Sequence, residues 1–160
     1  MPTYTVPEDE LRKQAKADGM THLSTGVAVV HDGKILVVRR AADDFPGGNY
    51  ELPGGGIEDD ETFAEAVARE VHEETGLIVT TVLGMFPGFD YSTPNKPNVR
   101  QFNFLVNTAN SNVALSPEHD QYIWLEAESD IDQLVTTESM KTCMRDGLAV
   151  AVDLKDGEGN

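Results

Sequence analysis

The sequence of 160 residues contains a single cysteine, Cys143, which excludes an internal disulfide and favours a reducing, cytoplasmic compartment. It also lacks any apolar run near the roughly 18 residues that a membrane-spanning helix needs, so we expect no membrane partner. Residues 1–10 have no basic patch followed by an apolar segment, and we therefore predict no secretory signal.

Basic residues are scarce as well: 12 Lys and Arg stand against 28 Asp and Glu, a formal net charge of −16. A surface this acidic repels a phosphate backbone, so we expect no nucleic-acid partner. The 39% hydrophobic and 25% charged residues are typical of a folded globular protein, and the length predicts one domain over residues 1–160. The acidic residues either solvate the surface or hold cations, and composition alone favours the first reading.

Strands and helices are predicted to mix without regular alternation, which favours an α/β sandwich around a mixed β-sheet. The Asp32-Gly33 pair between two apolar runs predicts a hairpin, and the continuous apolar character of both runs predicts strands that are covered on both faces. The predicted elements are a helix over 7–18, strands at 27–30, 35–38, 49–52, 77–86, 101–106 and 122–125, a helix that begins near residue 63, a mobile loop over 87–98, a closing helix over 137–150 and a disordered tail over 154–160, with the core within 21–150.

The helix after the glycine run 54–56 carries more negative charge near its C-terminus than a helix favours. Glu70, Glu73 and Glu74 fall within about one third of the helix circumference, where they repel one another and oppose the helix dipole. Arg69 is the one nearby cation that is permanently charged. A divalent cation, Mg²⁺ or Mn²⁺, would supply the missing charge, because both prefer oxygen ligands.

The spacing of this segment resembles the complete signature of the Nudix hydrolase family. The family's fixed residue types stand at seven positions, namely Gly55, Glu61, Arg69, Glu70, Glu73, Glu74 and Gly76. Apolar residues fill the two remaining positions, Val71 and Leu77, and the resemblance extends over 21–127. It implies a Nudix-type α/β/α sandwich and a MutT-like pyrophosphatase, which hydrolyses the phosphorus anhydride of a nucleoside diphosphate linked to another moiety.

The resemblance also implies roles for individual residues. Metal ligands would be Glu70, Glu73 and Glu74, whereas Arg69 and Glu61 would orient them and Gly55 would shape the metal loop. The base that accepts the proton of the attacking water is expected to be Glu70 or Glu74. Glu118, in the loop before the last strand, is a second choice as base or additional ligand, and is equally well interpreted as a surface carboxylate.

Substrate contacts are less specific in the sequence. Arg39 or Arg40, at the end of the second strand, is expected to hold a phosphate, while the other faces solvent. Gly54 and Gly55 allow the backbone to approach a ligand closely. Six aromatic residues are candidates to stack on a base or line the pocket, and for each one alone core packing is the preferred interpretation. They are Tyr50, Phe86, Phe89, Tyr91, Phe102 and Phe104.

We predict a nucleoside triphosphate or related nucleotide as substrate, cleaved to a monophosphate product. Gly56 and Asp60 depart from the residues usual in MutT-like enzymes, which argues against oxidised dGTP. The alternatives are hydrolysis of ADP-ribose or a dinucleoside polyphosphate, and a non-catalytic nucleotide-sensing domain. Many relatives form dimers, so a homodimer is a further expectation, and the 87–98 loop is either a lid over the substrate or an ordinary surface loop.

Overall fold

Six strands and four helices form in residues 7–41 and 48–158, which the computed structural model of the protein describes. In chain order they are α1 (Glu8–Ala17), β1 (His22–His31), β2 (Lys34–Arg40), β3 (Tyr50–Glu51), α2 (Phe63–Thr75), β4 (Val79–Tyr91), β5 (Val99–Thr108), β6 (His119–Leu125), α3 (Glu128–Asp132) and α4 (Glu138–Glu158). The short helix α3 was not predicted. Among these described helices, none is both long and apolar enough to cross a membrane.

The strands form a mixed sheet in the order β3-β2-β1-β5-β4, and β6, which lies off this path, also pairs with β2. β1 runs parallel to β5 along eight residue pairs, whereas the other pairings are antiparallel. The predicted hairpin joins β1 to β2, and its turn residues Asp32 and Gly33 have φ values of 52° and 75°. Two successive positive φ angles are what a two-residue hairpin turn requires, so the hairpin prediction is confirmed.

Each face of the sheet is covered by one long helix. Alternate residues of β1 and β2 point to opposite faces: Val27 and Leu36 pack with the apolar stripe of α2, whereas Ala28 and Ile35 pack with α4. These residues are fully buried. The arrangement confirms the predicted α/β/α sandwich, and it explains why both strands read as continuous apolar runs.

Helix α2 begins and ends where its local sequence predicts. Thr62 accepts from the backbone N–H of Glu65, whose side chain in turn accepts from the Thr62 N–H, and Gly76 ends the helix with φ 72°. The N-terminal helix α1 packs against this start, because Glu8 Oε1 accepts from the Phe63 N–H at 2.7 Å and the Arg12 guanidinium lies 4.9 Å from the Phe63 ring centre. The start of α2 is therefore stabilised both by its own capping box and by contacts with α1.

The predicted mobile loop over 87–98 is wrong in its first part. Strand β4 continues to Tyr91, and its register with β5 shifts between Phe86 and Phe89. Pro87 and Gly88 lie in that irregularity, where a missing N–H donor interrupts no regular ladder. The connection that remains spans only residues 92–98.

The predicted end of the last helix is also wrong, since α4 continues past residue 150 to Glu158. Ala151 is fully buried and Leu154 packs against the core, so helix formation in this segment buries apolar surface. Residues 154–158 are therefore helical rather than a disordered tail. Residues 42–47, between β2 and β3, and residues 159–160, the end of the predicted tail, lie outside the described part of the chain.

Candidate active site

The glycine run is held against β1 by backbone hydrogen bonds. The Thr25 N–H donates to the Gly55 carbonyl at 2.8 Å, and the Ile57 N–H donates to the Leu23 carbonyl at the same distance. Gly54 has φ +155°, and a Cβ there would overlap the Thr25 carbonyl oxygen. Glycine is therefore required for this close approach of the loop to the strand.

Gly55 lies directly over the carboxylate of Glu70. A Cβ at Gly55 would lie 2.6 Å from the Glu70 carboxyl carbon and 2.7 Å from its Oε1, distances that real Cβ atoms do not tolerate. The absence of a side chain at Gly55 thus lets the loop backbone and the Glu70 carboxylate share one space.

Arg69 connects helix α2 to the glycine loop. Its Nε donates to Glu61 Oε2 at 3.0 Å, its Nη1 to Glu70 Oε1 at 2.8 Å and its Nη2 to the Gly56 carbonyl at 2.9 Å. The same guanidinium holds the pKa of the Glu61 carboxyl below its usual range, while Glu61 and Glu70 raise the pKa of Arg69. A planar fork of five donors suits this position better than a lysine, because three acceptors are satisfied in fixed directions.

Glu74 is a buried carboxylate with few partners. Its side chain is 5% exposed, and the Gly54 N–H lies 3.3 Å from each of its two oxygens. Loss of solvation and the charge of Glu51, opposed by the Gly54 N–H, together raise the pKa of Glu74 to about 9. Burial likewise raises the pKa of Glu70, against the hydrogen bond from Arg69.

The third predicted ligand, Glu73, is more exposed than this pair. Its side chain is 59% exposed, and its Oε2 lies 3.5 Å from Arg69 Nη1. In the described residues, no group of three or more His, Cys, Asp or Glu side chains is arranged to hold a metal ion. The structure thus brings Glu70 and Glu74 together, with Glu73 nearer the surface, where its charge adds to the effect of burial in raising the pKa of Glu70.

The donor set nevertheless suits a divalent cation. Glu51, Glu70 and Glu118 all lie close enough to Glu74 for their negative charges to disfavour its ionisation. An isolated buried carboxylate is costly, and nearby carboxylates increase that cost unless a cation compensates them. Oxygen-only side chains around a buried charge are the chemistry that Mg²⁺ and Mn²⁺ prefer.

The two predicted phosphate-binding arginines are placed differently. Arg40 Nε lies 2.9 Å from Glu51 Oε1, and Arg40 lines a cleft beside the glycine loop. Arg39 Nε lies 2.8 Å from Asp120 Oδ1, and both side chains are more than one third exposed. Tyr50, the neighbour of Glu51, also lines the cleft.

Glu51 and His119 were missed by sequence reasoning. His119 is 4% exposed, and its Nε2 lies 3.0 Å from Glu51 Oε1. A carboxylate oxygen accepts, so Nε2 is the protonated nitrogen of this ring when the ring is neutral. The two residues are brought together by strand pairing, because β3 and β6 both pair with β2. The register of these pairings cannot be predicted from the sequence.

The cleft has a volume of about 1490 Å³ and two chemically different ends. We call the part lined by Gly55, Gly56, Glu70, Arg40 and Glu51 the charged end. We call the part lined by Ser24, Gln101, Phe89, Tyr91 and Met140 the amide end. A cleft of this size and mixed lining can hold a nucleotide-sized molecule with its phosphates at one end.

Comparison with known proteins gives one family match. The model of the family described as NUDIX domain matches residues 20–140 of this chain. The crystal structure of a MutT protein from Methanosarcina mazei Go1 has a TM-score of 0.64 at 26% identity, covering 87% of this chain and 95% of that one.

Two curated relatives match over different shares of their length. The nucleoside triphosphatase NudI of Klebsiella pneumoniae (strain 342) is 34% identical over 111 residues, which are 62% of this chain and 78% of that protein. An ADP-ribose pyrophosphatase of Methanocaldococcus jannaschii is 46% identical over 67 residues, which are 41% of this chain and 36% of that protein. The chain thus spans most of the first relative and a minor part of the second.

Proposed function

The chain belongs to the NUDIX domain family, and on that premise we propose that it is a pyrophosphohydrolase, which cleaves the phosphorus anhydride of a nucleoside diphosphate linked to another group. The observation that carries the proposal is the pair of carboxylates beneath Gly54 and Gly55, in which Glu74 is buried and Glu70 is partly buried at the wall of the cleft. For the stability of the fold alone, an apolar side chain at either position would cost less free energy than a carboxylate.

A divalent cation, Mg²⁺ or Mn²⁺, would be held by Glu70 and Glu74. When bound, such a cation polarises a phosphate oxygen and lowers the pKa of water at the reaction centre. Arg69 fixes the orientation of the Glu70 carboxylate by its 2.8 Å hydrogen bond, and the Gly54 N–H does the same for Glu74. Both ligands are thereby oriented before substrate arrives.

Glu70 is the better candidate for the base that accepts the proton of the attacking water. It lines the cleft, whereas Glu74 and Glu118 are not among its described lining residues. Burial also raises the pKa of Glu70, which moves a carboxylate toward the range where it accepts protons effectively. Glu74, which lies deeper, is assigned to cation binding.

The proposed substrate is a nucleoside triphosphate, cleaved to a monophosphate. Support comes from the similarity to a nucleoside triphosphatase, of which the chain covers 78%. ADP-ribose is the second candidate, since an ADP-ribose pyrophosphatase is 46% identical over a shorter segment. Arg40 is proposed to hold a phosphate at the charged end of the cleft, because a guanidinium binds phosphate oxygens in pairs.

The test is a panel of nucleoside triphosphates, ADP-ribose and dinucleoside polyphosphates with Mg²⁺ or Mn²⁺, followed by product identification. We expect Glu74→Gln to lower kcat at least about 100-fold, because an amide binds a divalent cation more weakly than a carboxylate. In EDTA the substitution should not lower Tm, because the amide keeps an oxygen acceptor for the Gly54 N–H. Glu10→Gln, on the exposed face of α1, is the matched control and should behave as wild type. Absence of phosphate, pyrophosphate or monophosphate release from every compound would contradict the proposal.

A further inference from the structure

Two buried amide side chains, Gln101 and Asn103, lie on the α4 face of β5 at the amide end of the cleft. Asn103 is fully buried and Gln101 is 7% exposed, and Gln101 lines the cleft. Buried amides are costly unless their hydrogen-bonding groups are used, so the partners of this pair define what it presents to a ligand.

The orientation of both amides is set by a backbone carbonyl. Asn103 Nδ2 lies 2.8 Å from the Pro87 carbonyl oxygen, which can only accept, so the NH₂ group of Asn103 must face it. The same Nδ2 lies 3.0 Å from Cys143 Sγ. Asn103 Oδ1 therefore faces Gln101 and accepts from its Nε2 at 2.9 Å. A Gln101 amide turned by 180° would place two oxygens against each other.

Strand β1 is shaped to leave room for this pair. Gly26 pairs with Asn103 across the parallel ladder, and a Cβ at Gly26 would overlap both Asn103 Oδ1 and Gln101 Nε2. Its neighbour Ser24 pairs with Gln101 and also forms an isolated bridge with Gly56. The amide end therefore begins next to the glycine loop of the charged end.

Flat and apolar groups flank the amide pair. The rings of Phe89 and Tyr91 lie 5.5 Å apart, and the Tyr91 hydroxyl lies 3.3 Å from Ser24 Oγ. Met140 from α4 lines the same part of the cleft. Aromatic faces and a polarisable thioether are suitable walls for a planar heterocycle.

We propose that Gln101 reads the hydrogen-bonding edge of the substrate's nucleobase and distinguishes 6-amino from 6-oxo purines. The hydrogen bond to Asn103 uses one N–H of Gln101, which leaves its Oε1 acceptor and its second N–H donor for a ligand. Because the amide cannot turn, the positions of this acceptor and this donor are fixed. Adenine presents donor and acceptor in one order along its N6–N1 edge, and hypoxanthine or guanine presents them in the opposite order. An amide that cannot turn is complementary to only one of the two. Asn103 is a positioning residue, since it acts through Gln101.

This inference rests on the proposed function only for the nature of the ligand, so its main test uses ligands that are not hydrolysed. Binding of AMP and IMP, which differ only at position 6 and in the N1 proton, is measured by calorimetry for wild type and Gln101→Leu. We expect the two dissociation constants to differ between about 5-fold and 100-fold in wild type. In Gln101→Leu we expect their ratio to fall close to one. Gln121→Leu, on the exposed part of β6, is the matched control and should keep the wild-type ratio.

A second variant tests whether Asn103 orients the Gln101 amide. Asn103→Leu keeps the Gln101 amide but removes the acceptor that orients it, so AMP and IMP should both bind and their affinity ratio should again approach one. A role in packing alone would weaken binding of both nucleotides equally and leave the ratio unchanged. If Asn103→Leu does not fold, as judged by its thermal transition, the Gln101→Leu ratio decides.

Hydrolysis of ATP and ITP separates this inference from the proposed function. If both are hydrolysed and AMP and IMP bind wild type equally, the inference is overturned and the proposed activity stands. If neither is hydrolysed but the AMP/IMP ratio is large in wild type and lost in Gln101→Leu, the inference stands and the proposed activity is wrong.

Discussion

The two ends of the cleft use opposite kinds of polar side chain. At the charged end, the partly buried Glu70 lines the cleft and the buried Glu74 lies behind it, and loss of solvation raises the pKa of both carboxyls. At the amide end, Asn103 is more deeply buried than either, yet both of its NH₂ partners and the partner of its oxygen come from the protein. The carboxylates of the charged end are therefore uncompensated without a cation, whereas Asn103 at the amide end is fully satisfied and only Gln101 keeps groups for a ligand.

This difference separates reactivity from recognition. Carboxylates that lack full compensation are available to bind a cation and accept a proton, because their charge is not neutralised within the fold. Amides whose hydrogen bonds are satisfied hold one orientation, which is what discrimination between ligands requires. Substitutions at the charged end should thus change rate, and substitutions at the amide end should change preference.

The largest expected effect is on Glu70. Replacement by Gln keeps the acceptor for Arg69 but removes the base, so we expect kcat to fall about 10²- to 10⁴-fold. Glu118→Gln, at an exposed turn outside the described lining of the cleft, should change kcat by no more than about twofold. Steady-state kinetics at saturating Mg²⁺ measures both, and the reverse order would assign the base to Glu118.

Substitutions at the neighbouring glycines Gly55 and Gly56 test whether kcat depends on the position of the Glu70 carboxylate. Gly55→Ala would place a Cβ within 2.7 Å of three atoms of the Glu70 carboxylate and displace it, so we expect kcat to fall about 100-fold. At Gly56 the nearest atom to an added Cβ is Lys96 Nζ at 3.7 Å, and Gly56→Ala should leave kcat unchanged. Equal kinetics for the two variants would show that the position of Glu70 is not critical.

Removal of divalent cations should expose the cost of burying Glu74. Its folded-state pKa of about 9 exceeds its ordinary value of 4.5, so between these values the folded protein holds a proton that the unfolded chain has lost. Stability from this group is complete below pH 4.5 and is lost as pH rises toward 9. In EDTA, raising the pH from 6 to 7 should therefore lower the free energy of unfolding by at most about 1.4 kcal/mol.

Glu74→Gln provides the control for that measurement. The amide does not titrate, so its Tm in EDTA should lack the part of the pH dependence that Glu74 causes. Added Mg²⁺ should raise the wild-type Tm at pH 7 more than it raises the Tm of Glu74→Gln. Parallel Tm curves for the two proteins in EDTA would mean that Glu74 is solvated well enough to ionise normally.

The glycine loop and the carboxylates of α2 were largely predictable from the sequence because one continuous segment supplies them. The glycine run, the capping box and the carboxylates lie on a loop and the helix that follows, so their relation is set by helix geometry. The direction of Glu73 was not predictable, since the competition between Arg69 and solvent for its carboxylate depends on the tertiary position of Arg69. Glu51 and the amide pair were missed because strand register brings them in.

The errors in element boundaries have the same origin. Pro87 and Gly88 predict a loop by their local preferences, but pairing with β5 outweighs those preferences and absorbs both residues in an irregularity. Gly147 weakens a helix in isolation, yet a Cβ there would lie 3.2 Å from both Ala28 and Phe86, so α4 uses the glycine to pack closely on the sheet. At these positions tertiary contacts outweighed local propensity.

The smallest expected effect comes from Cys143, which supports the amide end from α4. Its thiol is buried and accepts weakly from Asn103 Nδ2, and burial raises the pKa of this thiol, so it stays protonated. Cys143→Ala removes that acceptor and a small buried volume, while the stronger bond from Asn103 to the Pro87 carbonyl remains. We expect a loss of about 1 kcal/mol, or a Tm lower by about 2–4 °C, with kcat unchanged. The AMP/IMP affinity ratio should also be unchanged, because the Pro87 carbonyl alone suffices to orient Asn103. A ratio that falls to one would instead show that the thiol is also needed to orient Asn103.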